Sequence, residues 1–156
     1  MTAIFHCARR TAILIATIFI FAASPVLADK TTYQSGGVAI NGYDPVGYFV
    51  DQAPVKGNSA LAYTWNGTKW QFATQKNLDA FKADPEKFAP KFGGYCAYAV
   101  SRGYTAPTDP AAWSIVDDKL YLNYSKSVRA RWAQDTSSNI VKGNENWPGL
   151  RADLAK

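Results

Sequence analysis

Histidine and methionine each occur once in this chain of 156 residues, and cysteine twice. Their positions make the shortage sharper: Met1, His6 and Cys7 all fall within the first seven residues. If that end is removed, Cys96 is the one remaining thiol and there is no imidazole or thioether. Hydrolases that pair a serine or cysteine nucleophile with a histidine base are then excluded. So is an intramolecular disulfide, and so is a structural zinc site built from four cysteine and histidine ligands. No glycine-rich phosphate loop of the Walker or dinucleotide type occurs. Lysines and arginines never run three together, whereas tracking a phosphate backbone needs a basic stripe, so nucleic acid is not an expected partner.

The removable end has the three parts of a secretory signal. Arg9 and Arg10 close a basic stretch, Thr11 to Ala23 is apolar, and Val26-Leu27-Ala28 supplies small residues for cleavage after Ala28. The apolar run is shorter than the roughly 20 residues of a spanning helix, so no membrane anchor is expected after cleavage. The paired arginines leave Sec and twin-arginine export both open. A periplasmic or secreted location is the expectation. Asp29 to Lys156 then carries 15 basic against 12 acidic residues, a mild excess of three. Its five Phe, nine Tyr and five Trp can build a core without disulfides.

Along the chain the pattern is α+β, with no internal repeat. The predicted organisation is a signal peptide at 1–28, a loose leader at 29–37, one domain at 38–150 and a tail at 151–156. Val38 to Ile40 and Tyr43 to Val50 read as extended pieces around Asn41-Gly42. Asn66-Gly67, between Ala60–Trp65 and Thr68–Ala73, is a hairpin signal, and Tyr63, Trp65, Trp70 and Phe72 put most of its rings on one face. Thr74 caps a helix to Ala83, and Asp84-Pro85 opens a second short one. Tyr95 to Arg102 fits a helix with Cys96, Ala99 and Val100 on one face and Gly103 at its end. A second hairpin crosses Asp117-Asp118, joining Trp113–Val116 to Lys119–Tyr124. Ser125 caps a helix through about Trp132, with a break at Thr136 to Ser138 before Ile140 to Trp147. Gly93-Gly94 is either a tight turn that permits close packing or an anion-binding nest ahead of Cys96.

Four blocks carry a resemblance: Gly42 to Phe49 (G-Y-D-P-V-G-Y-F), Trp65 to Phe72 (W-N-G-T-K-W-Q-F), Asp84 to Val100 (D-P-E-K-F-A-P-K-F-G-G-Y-C-A-Y-A-V) and Lys119 to Ser125 (K-L-Y-L-N-Y-S). In this order they resemble the exported bacterial YHS-domain proteins, relatives of the YHS and TRASH-like metal modules. The resemblance implies a small single domain with two β-hairpins packed on short helices, treble-clef-like, and a possible link to metal. The chain departs from the family name, since no Tyr-His-Ser signature is present.

Two readings of function follow. In the first, an exported binding protein holds or delivers a copper or zinc ion through the Cys96 thiolate, with Asp44 and Asp109 as oxygen ligands. In the second, no metal is bound, Cys96 is structural, and Tyr48, Tyr95, Tyr98 and Trp113 line a pocket for a small ligand or an envelope protein partner. Catalysis ranks behind both, because no pair of carboxylates stands out for acid-base work.

Overall fold

A computed structural model describes residues 30–156; the predicted signal peptide lies outside them. Strand β1 (Gln34–Ser35) pairs antiparallel with β2 (Val38–Ala39), so part of the expected loose leader is built into a sheet. Strands β3 (Asn58–Trp65) and β4 (Thr68–Phe72) form the first hairpin. Because β2 lies parallel to β4, the sheet order is β1-β2-β4-β3. The turn of this hairpin has Asn66 at φ 47 and Gly67 at φ 69, the left-handed pair that a type I′ turn demands. Strands β5 (Asp109–Val116) and β6 (Lys119–Asn123) make a separate two-stranded sheet. Asp117 and Asp118 at its turn sit at φ 50 and φ 56, a conformation Asp tolerates.

The expected caps are present. Thr74 Oγ1 accepts from Asn77 N at 3.1 Å to start α2 (Gln75–Ala83), and Asp84 Oδ1 accepts from Lys87 N at 3.2 Å to start α3 (Pro85–Phe88). Ser125 Oγ accepts from Val128 N to start α5 (Lys126–Ala133). Three elements differ from expectation. Gly47–Val50 is a helical turn, α1, where an extended piece was expected. Asp44 bends the chain into it, its Oδ1 accepting from Val46 N and Gly47 N, and Asp44-Pro45 repeats the residue pair of Asp84-Pro85 two residues further ahead of the helix. The helix around Cys96 is shorter than predicted, α4 (Ala97–Ser101), with Cys96 at its N-cap position. The last helix, α6 (Thr136–Leu154), starts earlier than expected because Asp135 caps it, accepting from Ser138 N. The break therefore falls at Gln134-Asp135, and the helix runs on through Pro148.

Two apolar clusters fill the domain. The first packs β4, α2 and β6 around the fully buried Tyr48, Trp70, Phe72 and Phe81, with Trp65 and Tyr63 against it, so the predicted ring face of the first hairpin is realised. Trp70 and Phe81 lie 5.3 Å apart, Phe72 and Phe81 5.1 Å. Truncating a buried ring of this size costs about 3–5 kcal/mol. The second cluster joins α4 and α5 to β6 through Phe92, Ala97, Val100, Tyr121 and Trp132, and α6 packs against it with Ile140, Trp147 and Leu150. Gly93-Gly94 is where the N-terminal part of the fold presses on this cluster. A Cβ at Gly93 would overlap the carbonyl oxygen of Thr31, and one at Gly94 would lie 2.8 Å from Ile40 Cγ2. The pair is the close-packing turn of the two alternatives. It places Cys96 beside the end of β6.

Candidate functional site

Cys96 is 1% exposed and forms the floor of a cavity of about 290 Å³. Helix α4 and the end of β6 hold its sulfur from two sides. The Sγ lies 3.7 Å from Asn123 Oδ1, to which the thiol donates, and it accepts from the backbone N–H of Tyr124 at 3.3 Å. Asn123 Oδ1 also accepts from Tyr98 N at 3.1 Å. This satisfies one of the free N–H groups at the start of α4. Asn123, two residues ahead of the Ser125 cap, thus serves α4, 25 residues back along the chain. That contact fixes the orientation of the Asn123 amide, so its Nδ2 faces elsewhere and has no partner among the described residues. An idle buried donor costs about 1–3 kcal/mol.

The walls above the sulfur are Tyr98, Ala99, Tyr104, Ala106, Tyr124 and Val128, with Arg131 at the edge. Tyr104 and Tyr124 are 54% and 58% exposed, unusually open for large rings, and both border this one cavity. Arg102 lies over the Tyr98 ring at 4.9 Å and donates to its hydroxyl at 3.2 Å, so that wall has a cationic back.

The other expected site residues are placed elsewhere. Of the four rings expected to share a pocket, Tyr98 alone lines this cavity. Tyr48 and Trp113 pack on one another at 5.6 Å in the first cluster, and the Tyr48 hydroxyl donates to the Pro110 carbonyl. Tyr95 stacks near Trp147 and donates to the Lys30 carbonyl at 2.7 Å. Sequence periodicity could not separate the two groups, because the rings lie on different elements. Tyr104, Tyr124 and Arg131 escaped the sequence reading; they converge only through the packing of α4 and α5 on β6.

The three expected metal ligands each have a local role. Asp44 is fully buried and accepts from Val46 N, Gly47 N, Ala73 N and the Asn77 side chain. Asp109 Oδ1 accepts from Ala111 N at 2.9 Å. Both carboxylates act on Tyr48: burial first, then the charges of Tyr43, Asp109 and Asp44, drive its phenol pKa well above the ordinary value of 10.0. Among the described residues no group of three or more His, Cys, Asp or Glu side chains could hold a metal ion. Cys96, Asp44 and Asp109 therefore do not converge as a ligand set, and a metal at Cys96 would need its sulfur deprotonated, which removes the bond to Asn123 and leaves the two lone-pair atoms facing each other.

The YHS domain family profile matches residues 46–91, less than a third of the chain. This segment spans α1 through α3 and the first hairpin, and it includes Tyr48 but ends five residues short of Cys96. No curated protein and no solved structure matches the chain.

Proposed function

We propose that the protein is an exported binding module that takes a small ligand, or one side chain of an envelope partner, into the cavity above Cys96 without a metal. The observation that carries this reading is the pair of open rings, Tyr104 and Tyr124, bordering a cavity whose floor is a thiol already supplied with both a donor and an acceptor. Aromatic walls give a ligand apolar contact, and Arg131 at the edge selects a ligand with an acceptor or a negative group. Cys96 is structural here: it packs, and it ties α4 to β6.

A metal-linked role is the second reading, and the YHS match is what favours it. One experiment separates the two. Untagged protein and Cys96→Ser are titrated with Cu(I), Zn(II) and phenylacetate, following melting temperature and backbone NMR shifts. The metal-free reading expects equal responses of the two proteins to metal, and phenylacetate shifts at Tyr98, Tyr104, Tyr124 and Val128 in both. A melting temperature that rises with metal in the unsubstituted protein alone would reverse the order of the two readings.

A further inference from the structure

A second cleft, of about 340 Å³, opens on a different face, between the turn of the first hairpin, the segment Glu86 to Gly93 and helix α6. We propose that it binds an acidic oligosaccharide. The cleft shares no lining residue with the Cys96 cavity and does not depend on the reading given to that cavity.

Two half-buried indoles, Trp65 and Trp147, line it from opposite elements of the fold. Each is held by contact with further rings, of which Trp70 and Phe92 also line the cleft. Trp65 packs on Trp70 at 6.0 Å and on Phe81 at 5.8 Å, and Trp147 packs on Phe92 at 6.0 Å and on Tyr95 at 6.2 Å. Held in this way, the rings are fixed platforms, and a ligand laid on them loses little to ordering side chains. Glu86, Lys91 and Arg151 line the same cleft. None of the three takes part in an ion pair or a side-chain hydrogen bond among the described residues, where the ion pair is Lys156 with Asp153. Their bonding capacity is turned to the cleft and to solvent.

The combination selects a ligand class. An apolar ligand would leave the charged and amide groups of a predominantly polar lining desolvated and unpaired. A simple inorganic anion would make no use of the two indoles. Nucleic acid would meet Glu86 and no continuous basic stripe. A sugar ring has an apolar C–H face to lay on an indole and a rim of hydroxyls that both donate and accept, which matches Trp65, Trp147, Glu86 and Asn66. Lys91 and Arg151 against Glu86 leave one excess positive charge, and a carboxylate on the sugar is its complement. A volume near 340 Å³ lies at the lower end of ligand sites and accommodates about two sugar rings.

The test uses the untagged protein with trigalacturonate and maltotriose, reading affinity by calorimetry and binding position from the five indole N–H resonances. Trigalacturonate is expected to saturate the protein and to move the Trp65 and Trp147 resonances, identified through Trp65→Phe and Trp147→Phe, with maltotriose weaker by at least about fivefold. Arg151 is exposed, so Arg151→Gln is expected to keep the melting temperature and to weaken trigalacturonate about fivefold, roughly 1 kcal/mol. Tyr104→Ala, in the other cavity, is expected to leave this binding unchanged. Absence of trigalacturonate binding at millimolar concentration, equal binding of maltotriose, an unaltered affinity in Arg151→Gln, or shifts centred on Tyr98 and Tyr124 would each overturn the proposal.

Discussion

The side-chain amide of Asn77 donates to the carboxylate of Asp44 at 2.7 Å, and both residues are buried. The bond joins the first turn of α2 to the segment ahead of α1, 33 positions away. Asp44 Oδ2 accepts from Asn77 and from Ala73 N, while Oδ1 accepts from Val46 N and Gly47 N. Four donors on two oxygens make this carboxylate a hub of the first cluster.

Asp44→Asn should therefore destabilise the protein although it changes almost no volume. The new amide has one oxygen, which can keep Val46 N and Gly47 N; its Nδ2 then faces Ala73 N and the Asn77 amide, donor against donor. Leaving buried N–H groups unmatched next to a charged-group network costs about 2–4 kcal/mol. A chemical denaturation midpoint unchanged within error would show that the Asp44 network carries no weight.

Much of the fold was legible because its signals were local. Asn66-Gly67, Thr74, Asp84-Pro85 and Ser125 each specify a turn or a cap through their own backbone chemistry, and each does so in the structure. The α1 turn was missed although Asp44-Pro45 repeats the signal at Asp84-Pro85, because Tyr48, Phe49 and Val50 read as strand formers. Tertiary contacts to Asp44 overrode that propensity. The candidate site was legible only at Cys96 and Tyr98. Apart from Ala99 on α4, its remaining walls come from α5 and from the loops beyond α4 and β6, brought together by non-local packing that no spacing rule encodes.

The turn of the second hairpin offers a stabilising change. Asp118 sits at φ 56, where a side chain costs roughly 1 kcal/mol and glycine costs little. Asp118→Gly reproduces the residue order of the first hairpin's turn and should raise stability by about 0.5–1 kcal/mol, since relief of strain outweighs the added freedom of the unfolded chain. Thermal or denaturant unfolding reads the gain. A loss of stability would mean that the Asp118 side chain contributes more to the turn than its backbone costs.

At Gly93 the opposite sign is expected. Its φ of 59 already disfavours a side chain, and a Cβ would overlap the Thr31 carbonyl oxygen while standing 3.3 Å from the Trp147 ring. The neighbour is backbone and cannot rotate away. Gly93→Ala should cost about 2–4 kcal/mol by strain and by displacement of the segment that donates from Tyr33 N to the Gly93 carbonyl. Gly103 at φ 84 has open space around it, so Gly103→Ala should cost only about 1 kcal/mol and serves as the control for φ alone.

Tyr48 makes stability depend on alkaline pH. Its ring is fully buried, its hydroxyl donates to the Pro110 carbonyl at 3.1 Å, and burial together with the charges of Tyr43, Asp109 and Asp44 raises its pKa above the ordinary 10.0. Below pH 10 the phenol is protonated in both the folded and the unfolded chain, and the term is constant. Above pH 10 the unfolded chain releases the proton while the folded one keeps it. The unfolded state then binds fewer protons, so stability falls as pH rises, by about 1.4 kcal/mol for each pH unit. Tyr121, also raised by burial and then by Asp117, adds to the same slope. Tyr48→Phe removes the titrating group. It should cost about 1 kcal/mol at neutral pH through the lost hydrogen bond to Pro110. Between pH 10 and 11.5 its stability should fall less steeply than that of the unsubstituted protein. Denaturant unfolding at half-unit pH steps measures both slopes, and parallel curves would show that Tyr48 ionises as readily in the folded chain as in the unfolded one.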